Sequence, residues 1–134
     1  MNTNNIETMI SSHAEWLNTA GRAGKQFVAK GLSLHGMKLV GIDFSECALA
    51  EVDFSECDLS NSLFIKSHVV DCDFRGARMD GANFSRAVLD GSDLRGISFA
   101  EAIFHKASVV DVDLRGVDVS MLNIDPIRLE LCRT

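Results

Sequence analysis

Large apolar residues recur at every fifth position from Leu34 to Ile124, through Leu39, Phe44, Leu49, Phe54 and onward without a break over nineteen units. In a chain that is 46% hydrophobic, chance would give such a run on the order of once in a million trials for a fixed register. A second row lies two residues before each of these positions, with apolar or small residues such as Leu32, Cys47, Cys57, Ser62, Ala77, Ala82 and Ser92. Neither row holds a charge, whereas the positions between them carry fifteen acids and eight bases from 32 to 124. A period of five fits neither the helix nor the flat strand. A short extended piece can point residues two apart to one side, and the other three must then turn a corner. If each unit turns about a quarter circle, four units close a coil of twenty residues. Stacked coils then satisfy each other's backbone groups at the strand spacing of about 4.8 Å. Parallel crossovers are overwhelmingly right-handed. The pattern predicts an all-β solenoid, a right-handed quadrilateral parallel β-helix of about 4.7 coils over residues 32–124, roughly 22 Å long.

The flanks differ from this core. Residues 1–31 read as an N-terminal capping helix and linker. From residue 5 to about 19, Ile6, Met9, Ile10, His13 and Leu17 recur at helical spacing, Asn4 and Glu7 match a capping box, and Gly21 is a natural stop. Such a helix is expected to lay Ile10, Trp16 and Leu17 over the first coil, because a solenoid needs its open ends covered. Bulky Leu32 and Met37 in the small row predict a wider first coil. Residues 125–134 form a C-terminal tail that alternates polar and apolar residues.

The units Cys57-Asp58-Leu59, Cys72-Asp73-Phe74, Ala82-Asn83-Phe84 and Ser92-Asp93-Leu94 resemble the repeats of the pentapeptide-repeat protein family. The leader His13-Ala-Glu-Trp16-Leu17 is similar to the H-x-x-W-L segment that precedes the repeats in many members. The resemblance covers residues 32–124 and implies the same right-handed quadrilateral β-helix. Relatives of the fluoroquinolone-resistance type dimerise through their C-terminal coils. The resemblance therefore points to a homodimer through Ile124, Ile127, Leu129 and Leu131, the alternative being a monomer whose tail folds over the end.

Twenty-residue stacking assigns the outward residues to faces. One face carries the charged ladder Asp53, Asp73, Asp93 and Asp113 with Arg75, Arg95 and Arg115. Adjacent opposite charges there offset one another as a solvated surface. A second face stacks Phe44, Phe64, Phe84 and Phe104 inward and carries Leu63, Ile65 and Ile103 outward. The next presents Ala50, Val70, Val88 and Val110, so these seven apolar residues form a candidate interaction surface across two adjacent faces.

Net charge is −6 with a pI of about 5.1, which argues against direct nucleic-acid binding, since that needs a basic patch. Apolar runs are too short for a transmembrane helix, and Met1 to Glu15 lacks the pattern of a secretory signal. Cys47, Cys57, Cys72 and Cys132, with no C-x-x-C pair, read as free thiols in a reducing, cytoplasmic setting. No metal, cofactor or catalytic constellation is expected. His13, His35, His68 and His105 are dispersed, and a uniform β-helix offers no deep concavity. The leading expectation is a non-enzymatic, rigid protein–protein interaction module with a partner of unknown identity. The alternative is a DNA-mimicking binder of a type II topoisomerase, for which a rod of six or seven base pairs in length and mixed charge is a poor fit.

Overall fold

The computed structural model describes residues 3–134, with side chains from residue 5. The chain opens with helix α1 (Thr3–Asn18) and continues into strands β1 (Val28–Lys30), β2 (Ala48–Ala50) and β3 (His68–Val70), which pair in parallel in the order β1-β2-β3. Their register is twenty residues, Val28 opposite Ala48 and Ala48 opposite His68. The same spacing holds on the other sides of the coil, where Lys38 pairs with Asp58, Asp43 with Leu63, and Asp73 with Asp93. Twenty residues of five-residue units make four sides per turn. We number the faces by their central inward residues: face 1 holds Phe54 and Phe74, face 2 Leu59 and Met79, face 3 Phe64 and Phe84, and face 4 Leu49 and Val69.

One unit shows how the backbone is satisfied. The Asp73 N–H donates to the Val52 carbonyl of the coil before, and Phe74 N–H to the Asp93 carbonyl of the coil after. Gly76 N–H also donates forward, to the Arg95 carbonyl, and Ala77 N–H closes the corner on the Phe74 carbonyl. That leaves the N–H of Arg75, which donates to Asp73 Oδ1 at 2.9 Å. Asp or Asn before the central residue repeats this bond at Ser55, Ser60, Ser85, Arg95 and Arg115. The acid of the repeat is thus an Asx turn that takes the one donor the coils cannot.

The corner bond from residue i+3 to i with φ above zero at i+2 is the geometry of a type II turn. Every fifth residue from Gly31 to Gly116 has positive φ, and ten of these corners are not glycine, among them Glu51, Lys66, Asp71, Arg86, Lys106 and Asp111. Sequence reading placed glycines at corners but did not anticipate charged residues in the same backbone conformation.

The interior is as narrow as the two rows require. Phe44, Phe64, Phe84 and Phe104 stack with centroids 4.9, 4.7 and 5.4 Å apart, and Phe54 stacks on Phe74 at 4.9 Å. Edge contacts join the two columns, Phe54 to Phe64 at 6.0 Å and Phe74 to Phe84 at 6.2 Å. Beside them Ala77, Ala82 and Ala87 are fully buried, and Ser62 and Ser92 give their hydroxyls to the Leu39 and Val69 carbonyls.

The ends depart from the expected span of 32–124. Pairing begins at Val28, one unit earlier, with Phe27 buried in the small row beneath Cys47. Left-handed corners stop at Gly116. Beyond it the chain forms a 3-10 turn (Val119–Met121) capped by Asp118, then the short helix α2 (Pro126–Leu129) capped by Asp125. Leu122 and Ile124 still turn inward.

Helix α1 packs on the first coil through Ile10, as expected, but otherwise through different residues from Trp16 and Leu17. Ile6 and His13 are buried, and Met9 and Ile10 pack against the core. Trp16 instead stacks on the His13 ring at 5.5 Å. His13 Nδ1 accepts the Phe27 N–H at 2.9 Å, so Nε2 carries the proton and donates to the Ser45 carbonyl at 2.8 Å. One imidazole therefore ties α1 to two places on the first coil. Gly24 packs on the same helix. With φ of 72°, it would set a Cβ 2.7 Å from the Trp16 nitrogen and closer still to the Ser12 carbonyl. The expected capping partner Asn4 lies outside the residues with described side chains.

Because each coil bonds to its neighbours at a fixed register, deleting residues 77–96 should leave a soluble protein with a β-rich circular dichroism spectrum and a cooperative melt. Deleting only 77–86 joins face 1 to face 4, and its melt should be lost or far lower. Equal melting of the two deletions would contradict the twenty-residue turn.

Candidate interaction faces

Face 1 is a zipper of opposite charges. Arg75, Arg95 and Arg115 each hold the Asp two residues earlier through Nε and Nη2, with the Nη2–Oδ2 distance 2.7 Å in all three. Each arginine of the lower two also leans on the Asp of the next coil, Arg75 Nε to Asp93 at 3.9 Å and Arg95 Nε to Asp113 at 3.6 Å. Arg133 from the tail completes the column 3.8 Å from Asp113. Of the expected ladder, Asp53 stands apart and accepts from Ser55. The Arg115 hydrogen bonds hold the Asp113 carboxyl well below the usual carboxylate range, and the Arg75 bonds lower that of Asp73. The face carries many charges and little net charge.

Face 4 is apolar. Its outward columns are Val28, Ala48, His68, Val88 and Ser108 on one side of the inward row, and Lys30, Ala50, Val70, Asp90 and Val110 on the other. Val28 is 59% exposed and Val110 40%, while Ala48, Ala50, Val70 and Val88 are half-buried. A shallow depression of about 590 Å³ runs over β1, β2 and β3, lined by Val28, Ala48, Ala50, His68 and Val70. No Asp or Asn precedes the central residue on this face, and here alone, among the described residues, the chain forms three-residue strands.

Four of the seven apolar residues expected at the surface, Ala50, Val70, Val88 and Val110, are brought together here. Leu63, Ile65 and Ile103 lie around the corner on face 3, where Asn83 and Ser85 separate the first two from the third. Val28 and Ala48 were missed. Counting fives backwards from Leu34 to Ala29 would have placed Val28 on this face.

The C-terminal residues divide. Ile124 is buried and Leu129 packs on the core, whereas Ile127 is 74% and Leu131 50% exposed. The tail folds over the last coil. Arg133 N–H donates to the Val112 carbonyl, the Leu131 and Arg133 carbonyls accept from Asp111 and Leu114, and Arg128 reaches the Ala107 carbonyl at 2.7 Å.

The thiols are packing groups. Burial pushes the Cys57 thiol up to about 11 and that of Cys72 to about 12, and raises Cys47 further. Among the described residues no three His, Cys, Asp or Glu side chains are grouped to hold a metal ion. Among the described residues no helix is long and apolar enough to cross a membrane.

Two family models, both described as pentapeptide repeats, match the sequence, one of 9 copies over residues 44–88 and one of 8 copies over residues 82–120. The chain belongs to the pentapeptide-repeat family. Its solved relatives are right-handed β-helices, and so is this chain. The pentapeptide-repeat protein Rfr23 from the cyanobacterium Cyanothece 51142 is 26% identical, with a TM-score of 0.59 over 60% of this chain and 54% of that one. HetL, a pentapeptide-repeat protein involved in heterocyst differentiation regulation in the cyanobacterium Nostoc sp. strain PCC 7120, is 18% identical, with a TM-score of 0.65 over 66% of this chain and 41% of its own. The matches thus span about half the length of these relatives. Trypsin-treated QnrB1, a plasmid-mediated fluoroquinolone resistance protein, is 20% identical over 66% of this chain and 54% of its own, at a TM-score of 0.42, a superposition too poor to bear on function. A search of curated proteins returns no significant match.

Two outcomes follow from the site chemistry. Asp113→Asn keeps the Asx acceptor but removes the charge. A carboxylate whose native pKa is depressed stabilises the fold above its unfolded value near 3.9 and loses that contribution as pH falls. The variant should therefore melt below the wild type at pH 7, and the gap should close as pH falls below about 4. A gap that persists in acid would mean that the charge is not its source. With a thiol reagent at pH 8, Cys47, Cys57 and Cys72 should stay unlabelled in the native protein and react fully in denaturant, since the thiolate is the reactive form. Only half-buried Cys132 is open to native labelling.

Proposed function

We propose that the chain is a non-enzymatic, rigid interaction module that docks protein partners through face 4. In this reading the rod is a stack of coils that begins with the unit at Phe27–Ala29 and whose regular corners end at Gly116. Helix α1 acts as its N-terminal cap, and a cytoplasmic setting fits the four free thiols. One observation carries the reading: Val28, Ala48, Ala50, Val70 and Val88 gather apolar surface in the two outward columns of face 4, broken by exposed His68, while face 1 is polar throughout. Flat apolar surface held on a stiff scaffold costs little ordering entropy when a partner docks. The shallow depression over face 4, lined by Val28, Ala29, Lys30, Ala48, Leu49, Ala50, His68 and Val70, holds no carboxylate, hydroxyl or thiol beside its one imidazole. The alternative topoisomerase-binding DNA mimic needs a run of unneutralised acids. On face 1 the acids Asp73, Asp93 and Asp113 are each held by an arginine.

The test is a photo-crosslinking amino acid placed at Ala50 or Val88, and at Arg95 as a control, in the cell that makes the protein. Protein adducts should form from face 4 and not from face 1. Equal adducts from both faces, or none from face 4, would remove the reading.

A further inference from the structure

The two edges of face 4 carry opposite charges. Along the corner where the chain enters the face stand Lys66, Arg86 and Lys106, above a single acid, Glu46, on the coil below. Along the corner where it leaves stand Glu51, Asp71 and Asp111, with Asp90 just inside and Lys30, 3.9 Å from Glu51, at the lower end. Apart from half-buried Asp90, all are exposed. Among the described residues, Lys66, Arg86, Lys106, Asp71 and Asp111 take part in no ion pair within the chain, in contrast to the zipper on face 1.

These corners are also where glycine is avoided. The left-handed positions beside face 4 are occupied by glycine only at Gly31 and Gly91, whereas the corners that follow faces 1 and 2 use Gly36, Gly41, Gly76, Gly81, Gly96 and Gly116. A side chain in that conformation is strained where glycine is not. Charged residues are thus kept, at a backbone cost, along the two borders of the apolar face.

We propose that the partner of face 4 is a second copy of this chain, docked side by side with both rods pointing the same way; this rests on the reading of face 4 as a docking surface. The symmetry follows from the charges. A two-fold axis parallel to the rod lays the basic edge of one copy on the acidic edge of the other. An axis across the rod would lay basic on basic. In the parallel arrangement Lys66 meets Asp71 of the second copy, and Lys106 meets Asp111. Each pair is five residues apart in sequence, so the two heights differ by only about a quarter of the 4.8 Å rise per coil. Arg86 comes opposite Asp90 at the same level. The interface is isologous, so every pair occurs twice. Val70 and Val110 then close on His68 and Ser108, Ala50 on Ala48, Val88 on Asp90 and Val28 on Lys30, and Glu46 meets Glu51 at the lower end, so the attraction is carried by the coils above. A face roughly 20 Å tall covers on the order of a few hundred Å² per copy, below the area of a permanent dimer. Association is therefore weak, dependent on concentration and sensitive to salt.

Sedimentation velocity over a concentration series tests this. The wild type should pass from monomer to dimer as concentration rises, and the dimer should weaken several-fold between about 0.02 M and 0.5 M salt. A variant with K66E, R86E and K106E has two acidic edges, and one with D71K and D111K has a basic edge on each side. Each alone should stay monomeric, and an equimolar mixture should associate. A wild type that remains monomeric throughout, or a mixture that does not associate while both variants keep the native circular dichroism spectrum, overturns the proposal. Should either variant fail to fold, carbodiimide coupling of the wild type decides. Mixing light and isotope-labelled protein should yield intermolecular Lys66–Asp71 and Lys106–Asp111 links, and their absence counts against the dimer. The photo-crosslinker at Val88 separates the two levels of inference. Adducts with a different protein from a chain that is monomeric in solution sink the second-copy proposal and leave the docking reading standing. Self-adducts support both, and no adducts together with a monomer remove both.

Discussion

Everything in this fold depends on the fact that a coil cannot satisfy its own backbone. Helix α1 bonds within itself, but from Val28 onward most N–H groups find their acceptor twenty residues away or at the next corner. Where the chain is not a full strand, four donors of a unit such as 73–77 are settled in this way, and the fifth, that of the residue after the centre, has no backbone carbonyl to meet. Asp73, Asp93 and Asp113 accept it on face 1, and Asn83 does so on face 3. The acid in the repeat is therefore a backbone acceptor first and a surface charge second. Its second role follows from the first. A carboxylate fixed by its own turn stands ready for the arginine two residues on, so the face 1 zipper is assembled from local geometry.

The same constraint decides where apolar surface can gather. A face with Asp or Asn before each centre has a polar outer column by construction. Face 4 lacks these residues at Ala48, His68 and Val88, and the chain there runs as extended strands. Relaxing the Asx turn on one side of the square frees that side to be apolar. The stacked interior is unaffected, because Leu49, Val69 and Leu89 remain buried as on any other face.

Much of this was legible because period five is so unlike any other period. The inward rows, the twenty-residue register and the stacking of Phe44, Phe64, Phe84 and Phe104 follow from counting alone. What counting could not reach was set by contacts that repetition does not encode. His13 looked like one of four scattered histidines, yet it is buried between the Phe27 N–H and the Ser45 carbonyl. Trp16, the larger apolar group, was the natural candidate for covering the coil but packs on the imidazole instead. At the far end, Val119 keeps the fivefold spacing. Asp118 nevertheless caps a 3-10 turn there, its side chain accepting the Ser120 N–H and so competing with an extended unit. Four residues of the candidate surface fell on one face because twenty-residue stacking is exact arithmetic. Leu63, Ile65 and Ile103 were grouped with them only by sharing a border.

Charge on this rod therefore comes in two kinds, and net charge alone does not distinguish them. On face 1 acids and bases share one column and are joined within the chain, so the face presents little field to its surroundings. On the corners of face 4 Lys66, Arg86 and Lys106 stand across the width of the face from Asp71 and Asp111, in no ion pair with them, and at left-handed positions where glycine would relieve the backbone. An acidic total of −6 is thus compatible with one internally neutralised face and one polarised face on the same molecule. Segregated edges around an apolar strip favour an approaching surface of the same segregation with its order reversed. Parallel two-fold symmetry produces that reversal from a single sequence, whereas a uniformly acidic or uniformly basic partner would meet one edge of its own sign.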